Sequence, residues 1–314
     1  MTGASGNTEG KAPGRLQGTD EMSKQYESLY QKSKTQDRKT AFAFFKLPRV
    51  ERVGDGQSPN FWRPFYPLSD LAQVEPWQSN EMVDGVRKFP EGNLEILASY
   101  LNFTFMRLQE EDKILFAGDG NRACFNTGLL DRRYCYDIYA FFERNRNEGD
   151  NQDWFFKQFV TKSDAMRWNL MEGFSGLPEV AEYYNAENYR DLFFHLEYSS
   201  IVVSGHIIED NLDRFPPKFR DDPPLAIAAI QAAVNKLYAQ LKRNYKLAVP
   251  HWHDGHIQLL LPLCLTDFNK ADLALVVERV DAQKCYVART ILTMDMAYQD
   301  ARRICRPDSD WLKG

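Results

Sequence analysis

The sequence is poor in cysteine and in histidine, with five of each among 314 residues. No two cysteines form a CxxC pair, which excludes the common cysteine-based metal and redox motifs. Three of the five lie in apolar surroundings, which is typical of buried, reduced thiols in a cytosolic or nuclear protein. The cysteines are Cys124, Cys135, Cys264, Cys285 and Cys305. We therefore expect an intracellular protein, either cytoplasmic or nuclear.

The chain also lacks a long apolar run and an excess of positive charge. No stretch of about 18 apolar residues is present, so no membrane span is expected. Residues 1–17 lack the apolar core of a secretory signal. The formal net charge is −5, so any contact with nucleic acid must come from a local basic patch and not from the overall field.

Hydrophobic residues make up 43% of the chain and aromatic residues 13%, which is enough for a large core. Residues 1–38 are polar and predict a disordered tail. Residues 39–90 combine many aromatic residues with prolines, which predicts an irregular segment that wraps the domain. Residues 91–314 predict a single globular α+β domain.

Apolar periodicity indicates the helices and strands of this domain. Helices are predicted over about 93–110, 223–245 and 294–304. Near-continuous apolar runs predict strands, and the last two, ADLALVVERV and KCYVARTILT, form a hairpin around residues 281–283. Such runs are typical of a sheet covered on both faces. The predicted fold is a mixed, largely antiparallel sheet flanked by long helices.

The sharpest polar constellation is HIIEDNLDRFP, residues 206–216. If this stretch is helical, His206, Asp210 and Arg214 share one face at i, i+4 spacing. The row then suits acid/base chemistry by His206 with Asp210 orienting it, while Arg214 contacts a phosphate and Asn211 orients a substrate. The alternative is an exposed helical turn held by an Asp210–Arg214 ion pair worth ~0.3–0.5 kcal/mol.

Basic residues crowd the end of the second long helix. Lys242, Arg243 and Lys246 predict phosphate contacts, and Tyr238 and Tyr245 among them can stack on bases. The alternative is that these cations only complement the negative end of the helix dipole.

The C-terminal hairpin offers a third set of polar residues. Tyr286 and Thr290 alternate on one face of its second strand, with Arg289 opposite. Ribonucleases that need no metal often display such side chains on a small sheet, where an arginine stabilises charge developing on phosphorus. The alternative is an ordinary cross-strand pair between Glu278 and Arg289.

All five histidines lie between positions 195 and 256. His251 and His253 follow Pro250, which predicts a surface turn that enters a strand, where alternate residues share a face and can share a ligand. The alternative is chance clustering. No zincin, P-loop, Rossmann or EF-hand spacing occurs and no metal site is predicted, although Glu209 and Asp210 would suit Mg²⁺.

Several stretches together resemble the domain-of-unknown-function family 3825 (DUF3825). They span roughly residues 95–312 and include ACFNTGLL, YDIYAFFERN, WFFKQF, HIIEDNLDRFP, RNYKLAVP, LLLPLCLT, ADLALVVER and TILTMDMAYQDARRI with PDSDWL. Members of that family are fused to OST-HTH/LOTUS, cold-shock and NYN modules, so the resemblance implies work on or near RNA but no particular reaction. Its motifs include His206, Asp210, Asn211, Arg214, Lys246, Glu278, Arg289, Thr290 and Asp295.

Three hypotheses remain open at this point. The first is an RNA-processing enzyme that acts on phosphodiesters, with His206, Asp210 and Arg289 as catalytic residues. Its phosphate or RNA contacts would be Asn211, Arg214, Lys242, Arg243, Lys246 and Thr290. The second is a non-catalytic module that binds RNA or a nucleotide. The third is a protein-interaction scaffold in which residues 41–77 dock a partner.

Overall fold

The computed structural model describes residues 24–45, 61–83, 85–146, 149, 151–198, 200–308 and 310–312. Residues 1–23 of the predicted disordered tail therefore lie outside the described residues. Residues 24–38 differ from that prediction, because Tyr26, Leu29 and Tyr30 are buried in the core. The backbone polar groups of this buried segment are paired. The Gln109 side chain bonds both the N–H and the C=O of Tyr26, and Asn102 accepts from the Leu29 backbone N–H.

The first half of the chain forms a five-stranded sheet with one long helix. Its helices are α1 (Tyr66–Leu71), α2 (Glu95–Glu110) and α3 (Lys162–Arg167). Its strands are β1 (Ala43–Phe44), β2 (Met82–Val83), β3 (Val86–Arg87), β4 (Leu115–Phe116), β5 (Arg122–Leu130), β6 (Asp137–Arg144) and β7 (Trp154–Thr161). The first sheet has the order β1-β7-β6-β5-β4, and only the β1–β7 pair is parallel. Strands β2 and β3 pair separately.

The second half forms another five-stranded sheet. Its helices are α4 (Gly205–Glu209), α5 (Pro217–Arg220), α6 (Pro223–Leu241) and α7 (Met294–Ile304). Its strands are β8 (Ile201–Val202), β9 (Val249–His253), β10 (His256–Leu263), β11 (Leu273–Val280) and β12 (Cys285–Leu292). The order in this second sheet is β8-β12-β11-β10-β9, and only the β8–β12 pair is parallel.

Helices α2 and α7 pack against each other between the two sheets. On the second sheet, Leu260, Ala274 and Val276 face this central layer. The neighbouring residues Leu259 and Leu275 point the other way, into a separate cluster under α6. The second sheet is therefore covered on both faces, as its continuous apolar strands predict, and the α+β class with largely antiparallel pairing is confirmed.

Most aromatic residues of the N-terminal segment serve the chain's own core. Phe42, Phe45, Trp62, Phe65 and Trp77 are all buried. These rings, which the sequence offered as anchors for a protein partner, are thus occupied internally, whereas Phe44 and Tyr66 remain exposed. Residues 46–60 of that predicted partner surface lie outside the described residues.

Two smaller findings concern the cysteines and the helices. All five cysteines are free thiols, with Cys124 and Cys285 buried and Cys135 and Cys305 exposed. Within the described residues, no helix combines the length and the apolar character needed to span a bilayer.

Candidate functional site

The segment from His206 to Arg214 does not present one continuous polar face. Helix α4 ends at Glu209, and the Asn211 side-chain amide donates to the backbone oxygen of Ile207 at 2.7 Å. This local bond competes with continued helix, so the i, i+4 row is broken before Arg214. His206 and Asp210 are exposed, and the described part of the chain contains no ion pair between Asp210 and either His206 or Arg214.

Asn211, Arg214 and Thr290 form a cluster held by internal hydrogen bonds, named here the Thr290 cluster. The Thr290 hydroxyl donates to Asn211 Oδ1 at 3.3 Å, and Arg214 lies 3.5 Å from the same hydroxyl. Arg214 also donates to the backbone oxygen of Ile291. Strand β12 pairs with β8 only at Tyr286 and Val287. The rest of this edge of β12 has no partner strand, and the Arg214 side chain pairs a backbone oxygen beside it. Three predicted contact residues thus come together, but they bind one another.

Arg289 lies at a β-bulge and belongs to a different place. Val276 pairs with Thr290 while Val277 pairs with Ala288, so Arg289 is the extra residue on β12. Its Nε donates to Glu278 Oε2 at 2.6 Å, which is the predicted cross-strand pair. Neither His206 nor Asp210 contacts Arg289 in the described structure. The three residues predicted as catalytic are therefore not brought together by contacts.

A row of polar side chains instead crosses four adjacent strands on the face of the second sheet toward α7. The register pairs His253 with His256 and His251 with Gln258, and it places Gln258 beside Glu278 on the next strand. We name the row the histidine site. Its members are His251, His253, His256, Gln258, Glu278 and Arg289.

The hairpin that carries the histidines has a two-residue turn. Asp254 and Gly255 both have positive φ, at 45° and 83°, which suits the twist of a tight hairpin and explains the Asp-Gly sequence. The sequence predicted a surface turn that enters a strand around His251 and His253. Both residues lie in strand β9, on one face as expected for alternate residues, and the turn follows at Asp254 and Gly255.

Hydrogen bonds fix the orientation and tautomer of His256. Its Nδ1 lies 3.1 Å from the Asp254 backbone oxygen, which can only accept, so Nδ1 carries the proton. The Gln258 amide donates toward His256 Nε2 at 3.2 Å. Glu278 Oε2 lies 3.7 Å from the same nitrogen. The nitrogen Nε2 of His256 is thereby held beside a carboxylate.

Two carboxyl groups beside the histidines, Glu278 and Asp300, have opposite pKa shifts. Burial alone would raise the pKa of Glu278, but the hydrogen bond from Arg289 and the charges of Arg289 and His256 lower it below its usual range. On α7, burial raises the pKa of Asp300, opposed by Arg303 and His253. Carboxyl groups whose pKa values are pushed apart are typical of acid/base sites, although structural ion pairs also produce such shifts.

His251 closes the inner end of the histidine site. It is 2% exposed, and neither ring nitrogen makes a hydrogen bond within the described residues. The nearest carboxylate oxygen, Asp300 Oδ2, is 3.8 Å from Nδ1. Burial, with the charges of Arg303 and His253, lowers the pKa of His251 to about 3, so the ring is neutral. Unpaired buried polar atoms are rare, and a catalytic role is one recognised explanation.

The histidines do not form a metal site by geometry. Among the described residues, no three side chains of His, Cys, Asp or Glu are placed to hold a metal ion together. The rings of His251 and His253 have centroids 6.4 Å apart. Glu209 and Asp210, considered for Mg²⁺, lie in no such group either.

The basic residues at the end of α6 adjoin an exposed pair of aromatic rings. Tyr245 is 65% exposed and Phe193 is 46% exposed, with ring centroids 6.3 Å apart. Lys242 and Arg243 are also exposed. Lys246 differs, because its ammonium pairs with Asp308 at 2.9 Å. The sequence drew attention to Tyr245 but did not single out Phe193.

One comparison with known proteins gives a result. A family model described as a domain of unknown function (DUF3825) matches residues 68–311. No curated protein and no solved structure matches the chain.

Proposed function

We propose that this chain, which belongs to the DUF3825 family, cleaves phosphodiester bonds of RNA at the histidine site. One observation carries the proposal: His256 Nε2 lies 3.7 Å from Glu278 Oε2, and Arg289 binds the same oxygen at 2.6 Å. A base, a carboxylate and a guanidinium therefore meet on adjacent strands. His206 and Asp210 are replaced by His256 and Glu278 in this assignment, while Arg289 keeps its role.

The chemistry assigns a task to each group. His256 Nε2 takes the proton from a ribose 2′-hydroxyl, and the 2′-oxygen forms a bond to phosphorus. The bond from phosphorus to the 5′-oxygen then breaks, and His253, across the hairpin from His256, donates a proton to that leaving oxygen. The hydrogen bond from Nδ1 to the Asp254 backbone oxygen orients His256, and the negative charge of Glu278, 3.7 Å from Nε2, stabilises the protonated ring.

Arg289 supplies positive charge where the phosphorane oxygens become more negative. Its Nε is bound to Glu278, but its terminal nitrogens make no hydrogen bond within the described residues, and its side chain is 47% exposed. A guanidinium in that position can bind a phosphate through two donors. It also stabilises charge that develops only in the transition state.

The test uses labelled single-stranded RNA with the full chain, with and without Mg²⁺. We expect cleavage by the wild type that leaves 2′,3′-cyclic phosphate ends, and a roughly 10²- to 10⁴-fold lower rate for His256→Ala. His206→Ala is the matched control, since it removes an exposed histidine outside the site. Absence of cleavage by the wild type, or an unchanged rate for His256→Ala, would contradict the proposal.

A non-catalytic RNA-binding role is the second candidate. It is favoured by the exposed rings of Tyr245 and Phe193 beside Lys242 and Arg243. Such rings stack on bases, while lysine and arginine bind the phosphates between them. This candidate predicts an affinity that falls steeply as salt concentration rises, even where no RNA is cut.

A further inference from the structure

A small pocket, named here the ring pocket, adjoins the histidine site. It has a volume of about 120 Å³ and lies between the segment at 191–193 and strands β10 to β12. Its floor is apolar, its wall is aromatic and its rim is charged. In that order these are Ile257, Leu259 and Val277, then Phe193 and Tyr286, then Asp191 and Arg279; His256, Gln258 and Glu278 of the histidine site complete the lining.

The aromatic wall is fixed in place before any ligand arrives. Phe194 stacks on Tyr286 with ring centroids 4.3 Å apart and an interplanar angle of 17°. The Tyr286 hydroxyl accepts from the backbone N–H of His195 at 2.9 Å. Phe193 is the neighbour of Phe194 in the chain, and its side chain remains 46% exposed. A preformed wall lowers the entropy cost of binding a flat ligand.

The rim places a carboxylate and a guanidinium at the mouth. Arg279 pairs with Asp191 at 2.7 Å and with Asp281 at 2.8 Å, and it lies 3.2 Å from His195 Nε2. These contacts hold both charged groups in one orientation. An apolar pocket with a few convergent polar groups is the usual form of a small-molecule site. Here the polar groups can meet the hydrogen-bonding edge of a planar heterocycle.

Size and surroundings select the occupant. The pocket is smaller than the roughly 300–1,000 Å³ of sites for drug-sized ligands, so it accommodates one ring system. The Phe193 and Tyr245 rings are tilted by 50° to each other, so they cannot both lie flat on one base, but they suit two successive bases. Lys242 and Arg243 lie three and two residues before Tyr245 in the chain and supply cations for the phosphates.

We infer that the ring pocket binds one nucleobase of single-stranded RNA, with Phe193 stacked on it and Tyr245 on the adjacent base. This inference rests on the RNA-binding candidate above and extends it to a specific pocket. It does not require that the RNA be cleaved, because stacking and phosphate contacts hold the RNA without any proton transfer, although the pocket shares His256, Gln258 and Glu278 with the histidine site.

The experiment measures binding without cleavage. A short fluorescent single-stranded RNA with 2′-O-methyl riboses cannot undergo attack by a 2′-hydroxyl, so its anisotropy reports affinity alone. We expect Phe193→Ala and Tyr245→Ala to weaken binding roughly 5- to 150-fold, the range for losing one stacked base. Phe193→Leu, which keeps an apolar wall without a π face, should show most of the same loss.

A matched control comes from a different part of the surface. Phe268 is 73% exposed and has the Lys236 ammonium 4.2 Å from its ring centroid, so it repeats the aromatic-plus-cation composition away from the pocket. Phe268→Ala should bind RNA as the wild type does. Far-ultraviolet circular dichroism of each variant checks that the fold is retained.

The outcomes separate this inference from the cleavage proposal. Failure of the wild type to bind the RNA, or equal affinities of wild type, Phe193→Ala and Tyr245→Ala, would overturn the ring pocket whether or not cleavage occurs. If no RNA is cut but Phe193→Ala weakens binding and Phe268→Ala does not, the ring pocket stands and only the cleavage proposal fails. Equal loss in Phe193→Ala and Phe268→Ala also counts against a specific pocket.

Discussion

Arg289 and Thr290 are neighbours in the sequence, yet they belong to two regions of opposite character. In the Thr290 cluster, Asn211 and Arg214 direct their polar atoms at Thr290 and at the Ile291 backbone. In the histidine site, Arg289 uses one nitrogen on Glu278 and leaves its end exposed. Both regions contain an arginine and a carboxamide. The difference is in how much hydrogen-bonding capacity remains after folding, and only the second region has capacity left for a ligand.

Sheet geometry explains the difference. Beyond its short pairing with β8, strand β12 has a free edge, and polar backbone near an edge requires partners. Arg214 supplies one there, so its charge serves the fold. The face of a sheet has no such requirement, because its backbone bonds lie in the plane. The bulge at Arg289 directs this side chain to the face, where Glu278 is its partner.

Within this comparison, the largest effect is expected from Arg289→Ala, and it is an effect on the cleavage rate. Losing the guanidinium should lower the cleavage rate roughly 10²- to 10³-fold, the usual cost of removing one donor to transition-state charge. The free energy of unfolding should change by only about 0–1 kcal/mol, because the Glu278 pair is solvent-exposed. Paired cleavage assays and urea titrations measure the two quantities. A large loss of stability with normal cleavage would show that Arg289 serves the fold, as the residues of the Thr290 cluster do.

The next effect concerns the buried end of the histidine site. The pKa of His251 falls to about 3 from the ordinary 6.5 because the ring is buried. Between these two pH values, His251 therefore binds a proton in the unfolded chain but not in the native structure. Stability is fully present above about pH 6.5 and is lost as pH falls toward 3, by at most about 1.4 kcal/mol per pH unit.

The measurement compares wild type with His251→Gln in urea titrations at pH 7 and pH 5. The wild type should lose more stability between these values than the variant does. Asp300, with its raised pKa, acts in the opposite direction, and Arg303, His253 and His256 also face the ring. These groups are common to both proteins, so the difference isolates His251. Equal losses in the two proteins would show that the ring is accessible to protons in the native state.

The sequence predicts local elements well and distant neighbours poorly. Helix α7 begins and ends at the predicted residues, since its apolar spacing is a property of 11 consecutive residues. The second long helix was predicted to reach residue 245 but ends at Leu241, because Asn244 caps a following turn with its side chain. Such a turn leaves little signal in an apolar pattern.

The histidine site was found only in part, for a physical reason. His251 and His253 were noted as one pair and Glu278 and Arg289 as another, but the site that joins them exists through the register of four strands, and one residue of slip would reverse every face. His256 was noted only as one histidine of the group. Alternation of His256 and Gln258 at the start of an apolar strand was the available signal. The prediction favoured His206 because a helical row can be read from five consecutive residues.

A moderate effect is expected from Arg214→Ala in the Thr290 cluster. This change removes a charged donor from the Ile291 backbone oxygen and from Thr290. Hydrogen bonds to charged groups contribute about 1.5–3 kcal/mol, so the free energy of unfolding should fall by about that amount. Cleavage per folded molecule should stay within about twofold of wild type, since a change remote from the reacting groups leaves the barrier nearly unaltered. A rate loss as large as that of Arg289→Ala would show that Arg214 takes part in cleavage.

The smallest effect is expected from Thr290→Val, which preserves shape and removes one hydroxyl. The hydroxyl donates to Asn211 Oδ1 at 3.3 Å and lies 3.5 Å from Arg214. Neutral hydrogen bonds contribute about 0.5–1.5 kcal/mol, so urea titration should show a loss in that range, with cleavage and RNA affinity unchanged. Thr290→Ser keeps the hydroxyl and should retain that bond. If Thr290→Val weakened RNA binding while Thr290→Ser did not, the hydroxyl would be a ligand contact, and the contrast between these two adjacent residues would no longer hold.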